Sequence, residues 1–155
     1  MSGTEILVSG ATGRTGGAAI AELRKIGRSV RAYVRSDGAR ASALREQGVE
    51  IAVGDFTDID AIRAAMEGIR SAYFLYPIAP GILAAAAYFA QAAKEAGVTA
   101  IVNMSQISAR RESASHAAQD LRLVGRADNA SAPHFLCRVA CVPIFRQGNL
   151  GEEKD

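Results

Sequence analysis

Ile6-Leu7-Val8-Ser9-Gly10-Ala11-Thr12-Gly13-Arg14-Thr15-Gly16 is the stretch that decides the fold of this chain. Its first three residues form a short apolar run that suits a buried parallel strand. Behind the glycines, Ala19, Ile20, Leu23 and Ile26 fall on one face of a helix over residues 18–26, and Gly27 supplies the stop. The three glycines therefore sit between a strand and a helix, the context that a phosphate-holding loop requires. Gly10 permits a sharp turn off the strand. Gly13 removes a Cβ from the path of a pyrophosphate, and Gly16 lets the helix pack closely on the sheet. The helix N-terminus then offers free N–H groups and a positive dipole end to an anion. Thr12, Arg14 and Thr15 share this loop and join the three glycines as candidate ligand contacts.

Outward from the loop, strand and helix signals alternate. Val30, Ala32 and Val34 alternate with Arg31, Tyr33 and Arg35 as a second strand, followed by a helix over 39–47 that stops at Gly48. Val49, Ile51 and Val53 mark a third strand, ended by Gly54-Asp55. Thr57 or Asp58 can cap a helix carrying Ile59, Ile62 and Met66 and closed by Gly68. A fourth strand spans 72–75, a proline-bearing loop 76–80, a long helix 82–96 ending at Gly97, and a fifth strand 98–104. This order predicts an α/β fold, a Rossmann-type doubly wound parallel sheet covered on both faces. The signal weakens after Ser105. A helix over 115–124 is poorly patterned, and 133–145 reads either as a sixth strand or as a segment that packs badly. The division expected is a nucleotide-binding domain over 1–120 and an atypical segment over 121–155, with the sheet cut short after its fifth or sixth strand. Without the sixth strand, the fifth would be an edge that recruits a second chain, so a homo-oligomer is expected.

Composition narrows the function. Eighteen basic against sixteen acidic residues leave a formal charge of +2, too balanced to argue for nucleic acid or a membrane surface. No apolar run reaches the length of a membrane span, and the N-terminus lacks the pattern of a signal peptide, so the cytoplasm is the expected compartment. Cys137 and Cys141 have neither zinc nor thioredoxin spacing, and no metal site is expected.

The ends of the second and third strands bear on which nucleotide is bound. A P-loop is excluded, because no lysine closes the glycine segment. Sites that prefer NAD place an acidic residue after the second strand to hold the ribose 2′-OH. Here Arg35 stands there, suited to the 2′-phosphate of NADP(H), with Arg14 close enough to assist. Asp37 is the rival, since a small shift of the strand end would bring it to the ribose. Asp55 can accept from an adenine amino group and Phe56 can pack near the base. The bland alternative is that Asp55 only starts a turn.

Gly10–Gly16, Val34-Arg35-Ser36, Gly54-Asp55-Phe56, Leu75-Tyr76-Pro77 and Asn103–Ser108 together resemble the atypical short-chain dehydrogenase/reductases, specifically the NmrA-like and NAD(P)H:quinone oxidoreductase-like proteins. The resemblance covers roughly residues 4–120. It implies an NADP(H) cofactor, with Leu75 and Tyr76 among its contacts and with Tyr76 and Ser105 lining the nicotinamide side. It implies hydride transfer to a small-molecule acceptor, a quinone or similar carbonyl compound, with Ser105 as the polar contact at the reacting end. The alternative is a non-catalytic NADP-binding redox sensor or regulatory module. The Tyr-x-x-x-Lys pair of classical members is missing, which argues against ordinary alcohol dehydrogenation. Past about Leu121 the resemblance is not followed. A truncation or frameshift and a naturally short variant both fit that stretch.

Overall fold

The computed structural model describes residues 4–77 and 79–104, and the backbone of 136–138. In chain order the elements are β1 (Ile6–Ser9), α1 (Arg14–Lys25), β2 (Val30–Val34), α2 (Ala39–Glu46), β3 (Glu50–Val53), α3 (Ile59–Met66), β4 (Ser71–Phe74), α4 (Ile82–Glu95), β5 (Ala100–Asn103) and β6 (Leu136–Arg138). All strand pairs are parallel, in the order β3-β2-β1-β4-β5-β6. Winding proceeds outward from β1 to β3, jumps back across β1 to β4, and continues the other way. This is the doubly wound Rossmann-type sheet, with its switch point between β1 and β4.

The two faces follow from strand alternation. Leu7, Tyr33, Ala72, Phe74 and Ile101 point to a core shared with α3 and α4, which contribute Ile62, Met66, Phe89 and Ala93. Val8, Val30, Ala32 and Val34 point to the other, closed by Ile20 of α1 and Ala41 of α2. Adjacent residues of one strand thus belong to different cores.

Three expectations are corrected. The first helix begins at Arg14 rather than at 18, and Gly16 and Gly17 lie inside it. Helix propensity argued against two glycines in a first turn, but close packing on Gly10 requires one of them. Ile26, expected on the buried face, is 70% exposed, because it is the C-cap where the chain leaves the helix. The fifth strand is only Ala100–Asn103; Val98 is buried in the preceding turn, its N–H donating to the Ala93 carbonyl at 2.9 Å. Of 133–145, the part described is β6, which pairs with β5 from Ala100↔Leu136 to Val102↔Arg138. The bare β5 edge, the ground for expecting self-association, is therefore covered. The proposed helix over 115–124 lies outside the described residues.

Candidate functional site

Where β1 and β4 separate, the switch point opens. Their ladder runs from Ile6↔Ser71 to Val8↔Tyr73. Beyond it the Ser9 hydroxyl takes over, donating to the Leu75 carbonyl at 3.1 Å and accepting from the Leu75 N–H at 2.7 Å. Ser9 is fully buried, so this side chain ties the two walls of the crevice in place of the next backbone rungs.

The chain then turns at Gly10, whose φ of +63° favours glycine. A Cβ at Gly10 would lie 2.6 Å from Leu75 Cδ2. One at Gly16 would overlap the Gly10 carbonyl oxygen and sit 2.6 Å from its carbon. Gly13 N–H donates to the Gly10 carbonyl at 3.0 Å, closing the turn. At Gly10 and Gly16 the fold itself leaves no room for a side chain, so the loop is a close-packed cradle of bare backbone.

The N-terminus of α1 is left open. Gly13 is its N-cap and offers no side-chain cap, and the first turn carries no acidic residue. The first helical bond runs from Gly17 N–H to the Gly13 carbonyl at 2.9 Å, so the amides of Arg14, Thr15 and Gly16 have no acceptor within the helix. Among the described helices only α3 has a side-chain cap, Asp58, whose Oδ1 accepts from Asp60 and Ala61 N–H at 3.0 and 3.1 Å. α2 and α4 start uncapped at Gly38 and Gly81, and α1 differs from them in following the glycine turn off β1 at the switch point. Arg14 is exposed at the positive end of α1, where a cation is disfavoured unless an anion joins it. Glycine cradle, open amides and Arg14 fit a diphosphate.

Arg35 directly follows β2 and is exposed, with Nε 3.4 Å from Asp55 Oδ2. Asp37, its rival for the ribose, is paired with Arg45 at 2.8 Å. Asp55 opens the segment after β3; its Oδ1 accepts from Thr57 N–H at 2.8 Å and Thr57 Oγ1 at 2.7 Å. Those two bonds, with Arg35 adding less, hold its carboxyl below the usual range. Asp55 therefore does start a turn, as the plainer reading had it, and it also meets Arg35.

Phe56 sits in an aromatic cluster, edge-on to Tyr33, Phe74 and Tyr76 at centroid distances of 5.1, 5.8 and 5.3 Å. Its ring packs against the core shared with α3 and α4, as does Tyr76, whose hydroxyl donates to the Pro80 carbonyl at 3.4 Å. Tyr33 beneath them donates to the Asp55 carbonyl at 2.9 Å. Burial first, then Asp58 and Asp55, push its hydroxyl up to about 12, so it is a strut and not an acid. Leu75 is half-buried against Gly10. Ser105 lies outside the described residues; Met104 before it donates its N–H to the Phe74 carbonyl at 2.9 Å, which brings the end of β5 to the same edge of the sheet. The loop residues, Arg35, Asp55, Leu75 and Tyr76 thus all lie at the carboxyl ends of the strands.

Residues 2–120 match the NmrA-like family. This chain belongs to it. The NmrA-like chain is 33% identical over 108 residues to the NAD(P)H azoreductase of Xenophilus azovorans, covering 70% of itself and 37% of that protein. Among solved structures it is similar to the NADPH-dependent quinone oxidoreductase QOR2 of Escherichia coli complexed with NADPH (31% identity, TM-score 0.59, 64% of this chain and 36% of that one). It is likewise similar to the Citrobacter sp. triphenylmethane reductase complexed with NADP(H) (30% identity, TM-score 0.63, 77% and 43%). The chain therefore spans less than half the length of each of these relatives. No helix among the described residues is long and apolar enough to cross a membrane.

Sequence reasoning missed one member of the NmrA-like site. Ser9 was given no role beside the apolar run and the glycines, yet it is the tie across the crevice. The available signal was a hydroxyl closing an otherwise apolar buried strand, where a polar group needs a partner.

Proposed function

We propose that this chain binds NADP(H) across the β1/β4 switch point and forms the cofactor-holding part of a reductase that passes hydride to a quinone-like or carbonyl acceptor. The observation that carries this reading is the uncapped N-terminus of α1 behind the glycine cradle. In a helix of this length an open N-terminus beside a floor free of side chains suits a diphosphate. The named relatives, reductases that use NADPH or NAD(P)H, agree with it.

When bound, the cofactor supplies the hydride at its nicotinamide ring. The work of the chain is to hold and orient. Gly10, Gly13 and Gly16 let the backbone approach the diphosphate, the amides of Arg14, Thr15 and Gly16 donate to it, and Thr12 flanks it. Arg35, with Arg14 nearby, faces the 2′-phosphate. Leu75 and Tyr76 form the wall toward the nicotinamide, and Ser105 follows the end of β5 as the polar contact there.

Titrating NADPH and NADH into the purified chain by fluorescence or calorimetry tests the binding. NADPH is expected to bind more tightly. Arg35→Asp is expected to erase that preference, removing a charge-assisted contact worth about 1.5–3 kcal/mol and adding repulsion. Equal losses for the two cofactors would remove Arg35 from the 2′-phosphate. NADPH oxidation with a panel of quinones then separates a reductase from a module that binds without turnover, and Ser105→Ala is expected to slow any turnover found.

A further inference from the structure

We propose that Asp55, held by Thr57, is a positioning residue that presents the terminal nitrogens of Arg35 to the 2′-phosphate of NADP(H), so that the pair, and not Arg35 alone, sets the preference over NADH. This rests on the reading that the cleft binds NADP(H).

Arg35 stands in solvent. Its side chain is 73% exposed and its only ion pair among the described residues is with Asp55. An exposed arginine spreads over many rotamers, and selecting one on ligand binding opposes affinity. Asp55 restricts that choice from a fixed base. Both Thr57 bonds go to Oδ1, which leaves Oδ2 facing Arg35. The segment itself is anchored below, where buried Tyr33 donates to the Asp55 carbonyl. The orientation of the carboxylate is therefore set without Arg35.

The contact falls on Nε. No hydrogen bond from Nη1 or Nη2 to a described residue accompanies it, so the two terminal nitrogens can make a two-pronged grip on a phosphate. The neighbouring acid does not compete, since Asp37 is held by Arg45 at 2.8 Å. The Asp55 charge also repels a phosphate. Its side chain is 44% exposed and already faces a guanidinium, so water and Arg35 screen that repulsion.

Affinities for NADPH and NADH are measured for the unmodified chain, D55A, D55N, R35A and the D55A/R35A double variant. Asparagine at position 55 keeps an acceptor for Thr57, so D55N preserves the turn if D55A disturbs it. Both Asp55 variants are expected to lower NADPH affinity about five-fold relative to NADH, the size of an ordinary exposed charge contact. R35A is expected to lower it further, and the double variant no further than R35A, because Asp55 acts through Arg35. Equal weakening of both cofactors would overturn the proposal in favour of an adenine contact. Tighter NADPH binding would overturn it in favour of competition with the phosphate. A chain that binds neither cofactor, or an R35A variant with an unchanged ratio, would overturn the underlying reading as well, and those outcomes are distinct from the first two.

Discussion

At the scale of single residues, the loop separates what the fold needs from what a ligand needs. Gly13 has φ −90° and ψ 171°, ordinary extended backbone that valine adopts readily, and its Cβ would meet only the Gly10 carbonyl oxygen at 3.2 Å. Gly13→Val is therefore expected to cost about 1–3 kcal/mol of stability while abolishing binding of NADPH and NADH alike. Thermal unfolding and a cofactor titration on one preparation check this, and normal affinity would reduce the motif to a turn. Ser9 has the opposite character. Ser9→Ala leaves the Leu75 N–H and carbonyl without their partner in a buried place, expected to destabilise by about 1–3 kcal/mol. Denaturant unfolding measures that, and an unchanged midpoint would show that the tie contributes nothing. Gly10, Gly13 and Gly16 were legible in the sequence because their type and spacing carry the physics. Ser9 was not, because its partner is the backbone of a residue 66 positions away.

Among the elements, helix starts and stops were both largely legible: α2, α3 and α4 begin at residues 39, 59 and 82 as expected, and α1 alone does not. The glycines expected to end the helices do so at Gly27, Gly48, Gly68 and Gly97, all with positive φ between 71° and 78°. The start of α1 was misplaced because Gly16 and Gly17 read as loop and not as helix; α2 and α4, which also begin at uncapped glycines, carry no glycine in their first turns. Arg31 was legible as a strand residue, but its further role was not. Its Nη1 donates to the Ala65 and Glu67 carbonyls, both at 2.8 Å, and so satisfies the end of α3 from a neighbouring strand. α3 and α4 are also joined by Arg63 and Glu95, at 2.7 and 3.1 Å. Arg63 and then Gln91 depress the Glu95 carboxyl to about 2. A depressed carboxyl adds stability above its unfolded pKa of about 4.3 and loses it as pH falls toward 2. Glu95→Gln is thus expected to melt slightly below the unmodified chain at neutral pH, with the difference shrinking between pH 4 and 2. A difference independent of pH would show that the ion pair is not its source.

For the whole molecule, the winding of the sheet was legible because apolar runs, glycine stops and short connections repeat in register from Ile6 to Asn103. The path after β5 was not, since a three-residue strand carries too little periodicity to distinguish it from a loop. Nor did the sequence show that Arg35 and Asp55 meet, because that depends on how far each strand end runs past its neighbour. One consequence of the Ser9 tie belongs at this scale and concerns time. A crevice whose walls are joined before any ligand arrives has no opening step to wait for. Stopped-flow mixing with NADPH is expected to show a single phase whose rate rises linearly with concentration, the mark of encounter with a preformed site. Salt is expected to slow that encounter through Arg14 and Arg35. In Ser9→Ala the walls can part, and a plateau at high concentration is expected to report the slower closing that the hydroxyl had made unnecessary.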